Sequence, residues 1–109
     1  MTTVVIRKDR AGMYRGFTCM GHAEYARKGP DILCSSISVL VINTVNALEE
    51  LAGEKFTTVS NEETGFIKCD FPDSLQERSV FLLDAMVYGL ENLSRTYGRK
   101  YLQVNFEEV

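Results

Sequence analysis

Four residues in one short stretch of the chain could do chemistry together: His22, Asp31, Cys34 and Ser38. His22 is the only histidine. An imidazole beside a thiol can take its proton, and the resulting thiolate attacks carbonyl carbon. The same imidazole then protonates the leaving amine. Asp31 is a natural helix N-cap, because its carboxylate accepts the amides of a first helical turn. Cys34 then falls at the third helical position, where the helix N-terminus favours the thiolate. Amides at such a helix start could also hold the oxyanion of a tetrahedral intermediate. Asp31, Cys34, Ser35 and Ser38 share about a third of the helix circumference, a small polar face on an otherwise apolar helix.

Plainer readings stand beside this one. A helical cysteine is often just a small buried hydrophobe, and a lone histidine is often a solvated loop residue. Asp31 could serve only as the cap, and Ser38 could bond back to the carbonyl one turn earlier. For Cys19 and Cys69 a core position is the expectation. Cys69 alternates with Ile67 and Phe71, and Cys19 shares a strand face with Phe17. Counted together, Cys19, His22, Cys34 and Cys69 could be four zinc ligands. Cys19 and His22 would point to opposite faces of one strand, however, and no C-x-x-C pair anchors a finger. The phosphate-binding loops G-x-x-x-x-G-K-[ST] and G-x-G-x-x-G are absent from the sequence. No cofactor is expected.

These residues need elements to position them. Thr2 to Lys8 reads as a strand, Asp9 to Gly12 as a turn, and Arg15 to Gly21 as a second strand. His22 would then sit where a strand ends. His22 to Pro30 reads as a loop, polar and bounded by glycines, which could close over a bound peptide as a gate. A long helix spans Asp31 to Leu51, closed by Gly53. Lys55 to Asn61 and Gly65 to Phe71 form a second hairpin. A second helix starts at Pro72-Asp-Ser74 and runs to about Tyr97. Lys100 to Phe106 is a last strand. The order ββαββαβ implies a two-layer α/β sandwich, with a mainly antiparallel or mixed sheet and two helices. On the first helix, Leu33, Ile37, Leu40, Leu48 and Leu51 form the expected sheet-facing stripe. Val41, Ile42 and Val45 fall off it, so the second helix or a partner subunit should cover them.

The chain has 109 residues, enough for one domain, 1–109, with a modest core. Its formal net charge of −3 argues against nonspecific nucleic-acid binding. An odd count of three cysteines argues against a disulfide framework. The N-terminal residues hold no apolar secretory segment. Ile37 to Val45, interrupted by Ser38, Asn43 and Thr44, is too short to span a bilayer. A cytosolic protein is expected, with neither nucleic acid nor membrane as a direct partner.

Gly21-His22-Ala23, then Gly29-Pro30-Asp31-Ile32-Leu33-Cys34, then Ser38, resembles the motif set of the Prp family of ribosomal-processing cysteine proteases. Length and element order suit that family. Pro30 departs from it, standing where an acidic residue is more usual. The resemblance implies a cytosolic bacterial cysteine endopeptidase that removes an N-terminal extension from large-subunit ribosomal protein number twenty-seven, cutting after an aromatic residue. It implies Cys34 as nucleophile, His22 as base, Asp31 and Ser38 as further polar site positions, and a homodimer. The alternatives are a non-catalytic ribosome-associated binding module, which needs neither His22 nor Cys34, and a thiol redox sensor. The sensor needs a resolving thiol near Cys34, and Cys19 is the candidate.

Overall fold

A computed structural model describes residues 1–21 and 32–109. Burial alternates along strand β1 (Thr2–Lys8): Thr2, Val4 and Ile6 are buried, and Thr3, Val5 and Arg7 are half-buried. Asp9 shapes the turn that follows. Its Oδ1 accepts the amides of Ala11 and Met13 at 2.9 and 3.0 Å. Strand β2 (Tyr14–Met20) returns antiparallel, with Cys19 opposite Val4 and Phe17 opposite Ile6. Helix α1 (Ile32–Glu50), the hairpin β3 (Thr57–Asn61) and β4 (Phe66–Asp70), helix α2 (Glu77–Tyr97) and strand β5 (Leu102–Glu108) complete the described order.

The five strands form one mixed sheet in the order β3-β4-β2-β1-β5. Only the β1–β5 pair is parallel. One sheet face, carrying Val4, Ile6, Phe17, Cys19, Cys69 and Leu102, packs with both helices into a single core. The other face is polar. There Arg7 donates to Thr18 Oγ1 at 2.7 Å and to Asp70 Oδ1 at 3.3 Å. The architecture is the two-layer α/β sandwich expected, and Cys19 and Cys69 are core residues as their alternation implied.

Three expectations need correction. Leu51 lies past the end of α1 and is 73% exposed, and Leu40 is only half-buried. The buried stripe is instead Leu33, Ile37, Val41, Thr44, Ala47 and Leu48. It runs at steps of four, four and three to Thr44, then to Ala47 and Leu48, and it makes Val41 core rather than off-stripe. Leu40 turns toward α2 and packs at Gly89, where a Cβ would lie 3.0 Å from Leu40 Cδ1. Second, α2 begins at Glu77, not at the Pro72-Asp-Ser74 turn. Its start is fixed from another part of the chain. Glu54 Oε1 accepts the Gln76 amide at 3.1 Å and the Ser79 hydroxyl at 2.7 Å, and Gln76 Nε2 donates to the Ala52 carbonyl at 2.8 Å. Third, α1 is long and apolar enough, by length and composition, to cross a membrane. Ser38, Asn43 and Thr44 do not dilute it enough to fail that test. Its buried residues belong to the core shared with the sheet and α2.

Candidate active site

Cys34 is the third residue of α1 and is half-buried. Leu33 beside it is completely buried. That anchor fixes the turn and leaves Cys34 at the margin of the core rather than inside it. One helical turn on, Ser38 follows on the same flank. Both line a cleft of about 390 Å³ between α1 and the β3–β4 hairpin.

The α1 wall continues as Val41, Ile42 and Val45. The facing wall is Thr58, Ser60 and Asn61 from β3, Glu62 and Gly65 from the turn, and Phe66 and Ile67 at the start of β4. Thr2, Cys19 and Gly21 close the floor. A cleft of this volume, mostly apolar with a few polar groups, matches ordinary ligand sites. Among the described lining residues Glu62 is the only acidic or basic side chain apart from the thiols.

Gly21 is fixed there by two constraints. It adopts φ +88°, and a Cβ in its place would lie 2.6 Å from the Met1 carbonyl oxygen. A side chain at this position would therefore be strained as well as blocked. The residue immediately before His22 thus lies in the same cleft as Cys34. His22 and Asp31, and the expected gate from His22 to Pro30, lie outside the described residues.

The thiols differ in their surroundings. Burial pushes Cys19 up to about 11, and the nearby Cys34 adds to the effect. Burial pushes Cys69 up to about 12; Asp70 adds to this and Arg7 partly opposes it. Both thiols stay protonated at neutral pH, and protonated thiols are poor nucleophiles. Cys34 is the cysteine with access to the cleft from a helix start. None of the three is in a disulfide among the described residues. Nor do the described residues hold a metal-binding cluster of histidine, cysteine and acid side chains.

The sequence reading missed the β3–β4 hairpin as the second wall of this cleft. It also assigned Val41, Ile42 and Val45 to a helix or subunit seam rather than to a cleft. The off-stripe apolar residues were the available signal. The hairpin could not be assigned without the strand order.

The sequence model of the family described as Cysteine protease Prp matches residues 1–102. The ribosomal processing cysteine protease Prp of Bacillus subtilis is 30% identical over 101 residues, covering 89% of this chain and 90% of that protein. The Staphylococcus aureus protein of the same name is 23% identical, over 98% of this chain and 100% of its own. The essential ribosomal processing protease Prp from S. aureus, solved with a covalently linked product peptide, superposes with a TM-score of 0.91 at 23% identity. That match covers 98% of this chain and 100% of the other. The same S. aureus protease in complex with a substrate peptide superposes with a TM-score of 0.87 at 22% identity, again over 98% and 100%.

Proposed function

The chain belongs to the cysteine protease Prp family, and from that premise we propose that it is a cysteine endopeptidase with Cys34 as nucleophile and His22 as general base. Its substrate is a bacterial large-subunit ribosomal protein, number twenty-seven, from which it removes an N-terminal extension. One observation carries this reading: Cys34 and Gly21, the residue next to His22, line one peptide-sized cleft. The covalently linked product peptide and the substrate peptide solved with the S. aureus protease add support for a peptide substrate.

The steps follow from the elements. A peptide lies between α1 and the β3–β4 hairpin, its apolar side chains against Ile42 and Val45. His22 takes the Cys34 proton, and the thiolate attacks the scissile carbonyl carbon. Positive charge at the start of α1 steadies the oxyanion. His22 then protonates the leaving amine, and a thioester remains on Cys34. Water hydrolyses the thioester with His22 again as base. Asp31 caps α1 and orients His22 or substrate, and Ser38 supplies a polar contact one turn along the helix.

The active form is a cytoplasmic homodimer. Only 33% of the most apolar window of α1 is buried within one chain, and Val39 is 67% exposed. A second copy would cover that surface. The direct test of the reading is incubation with the N-terminally extended ribosomal protein, followed by mass measurement of both products. An unchanged substrate mass under conditions where the protein is folded overturns it.

A further inference from the structure

Cys19 is a second sulfur in the cleft, and the proposed hydrolysis has no use for it. It sits on β2, on the sheet face turned toward the helices, between Val4 on one neighbouring strand and Ile67 on the other. Cys34 comes to the same cleft from α1, packed against the core cluster that contains Cys19. The two thiols are close enough for charge on Cys34 to oppose the ionisation of Cys19. Cys69, the remaining thiol, is completely buried and does not line this cleft.

We propose that Cys19 is a resolving thiol for Cys34: once a hydroperoxide has oxidised Cys34, the pair closes as an intramolecular Cys19–Cys34 disulfide. The chemistry balances in two steps. The Cys34 thiol attacks the distal oxygen of the hydroperoxide. The O–O bond breaks, the hydroperoxide is reduced to alcohol or water, and Cys34 becomes a sulfenic acid. The Cys19 sulfur then attacks the sulfenic sulfur. An S–S bond forms, the S–O bond breaks, and the hydroxyl leaves as water with the Cys19 proton.

A buried, protonated Cys19 is slow toward reagents in solution, but placement in the same cleft as its target raises its effective concentration. Capture competes with further oxidation of Cys34 to the sulfinic acid, which thiol reductants do not reverse. The disulfide is opened by a dithiol, which returns both thiols. The loss of cleavage that accompanies closure rests on the endopeptidase reading; the disulfide itself does not.

The experiment treats the full chain with hydrogen peroxide, blocks remaining thiols by alkylation, and maps peptides without reduction. In the wild type the expected product is a cross-link between the peptides of Cys19 and Cys34, with the intact mass lower by two hydrogens. In Cys19→Ala the same exposure should add two or three oxygens to Cys34. Dithiothreitol should then restore most cleavage to the treated wild type and little to treated Cys19→Ala, each compared with its own untreated activity. If the wild type gains oxygens at Cys34 without a cross-link, or links Cys34 only between chains, the proposal is overturned. Mapping of the wild type decides this even if Cys19→Ala does not fold. A mapped disulfide in a chain that cleaves nothing would leave the proposal standing and overturn the protease reading instead.

Discussion

Cys34 differs from the other two thiols by location, and its reactivity should follow. At pH 7.5 iodoacetamide should label Cys34 first, while Cys19 and Cys69 stay unlabelled until the chain unfolds. Peptide mapping over a time course reads this directly, and early labelling of Cys69 would contradict the core assignment. Cys34→Ala should abolish cleavage of the extended ribosomal protein while circular dichroism remains native. His22→Ala should lose about two to four powers of ten in rate, the usual contribution of a general base. Asp31→Asn separates two roles, since asparagine caps a helix well. Full activity in that variant would exclude a catalytic role for the Asp31 charge. The raised thiols also predict an alkaline limit. The contribution of Cys69 is complete below pH 9.0, where the thiol is protonated folded and unfolded, and fades as pH rises toward about 12. Each such thiol steepens the loss of stability by about 1.4 kcal/mol per pH unit in that window. Urea midpoints from pH 8 upward should therefore fall less steeply in Cys69→Ala than in the wild type. The core places of Cys19 and Cys69 were legible because strand alternation has a period of two, which one misread residue does not disturb. Val41 was misassigned because a helical stripe drifts, and the choice between neighbouring stripes depends on where the second helix lies.

Glu54 carries the clearest prediction for an element. Burial works against its charge, but the hydrogen bonds from Ser79, Gln76 and Lys55 outweigh it and hold the carboxyl below its ordinary value. A depressed carboxyl contributes stability above its ordinary pKa, and that contribution is lost as pH falls through the depressed value. Glu54→Gln should therefore lower stability at neutral pH and flatten the acid limb of a stability–pH curve, measured by thermal melts from pH 7 to 3. An unchanged acid limb would mean the carboxylate does not anchor α2. This tie also explains the misplaced start of α2. Pro72, Asp73 and Ser74 form a plausible local start, but the acceptor that sets the boundary comes from 22 residues upstream. Gly16 offers a second test at this scale. A Cβ there would meet the Cys69 backbone oxygen at 2.5 Å and Arg7 at 2.8 Å. Gly16→Ala should push β2 from β4 and cost about 1–3 kcal/mol, as overpacking does. A stability equal to the wild type would show that the two strands have slack.

For the whole molecule, the dimer is decided by charge placed on α1. Val39 is exposed, whereas Val41 is completely buried within one chain. Val39→Glu should yield a folded monomer by sedimentation. Val41→Glu should unfold the chain, because an unpaired buried carboxylate is costly. A wild type that sediments as a monomer at micromolar concentration would end the dimer proposal. The layer count and element order were legible from turn residues and apolar periods. The strand order was not, because it depends on pairings between residues far apart in sequence. β1 and β5 show this most clearly: they run parallel, paired from Thr2 with Leu102 through Lys8 with Glu108. Force applied to the two ends of the chain would pull the N-terminal end of β1 and the C-terminal end of β5 in opposite directions along their common axis. The ladder between them is then loaded in shear, with all its hydrogen bonds strained together rather than opened singly from one end. A machine that draws on the Glu108 end of β5 while the Thr2 end of β1 is held must therefore break that whole ladder at once before it reaches the core.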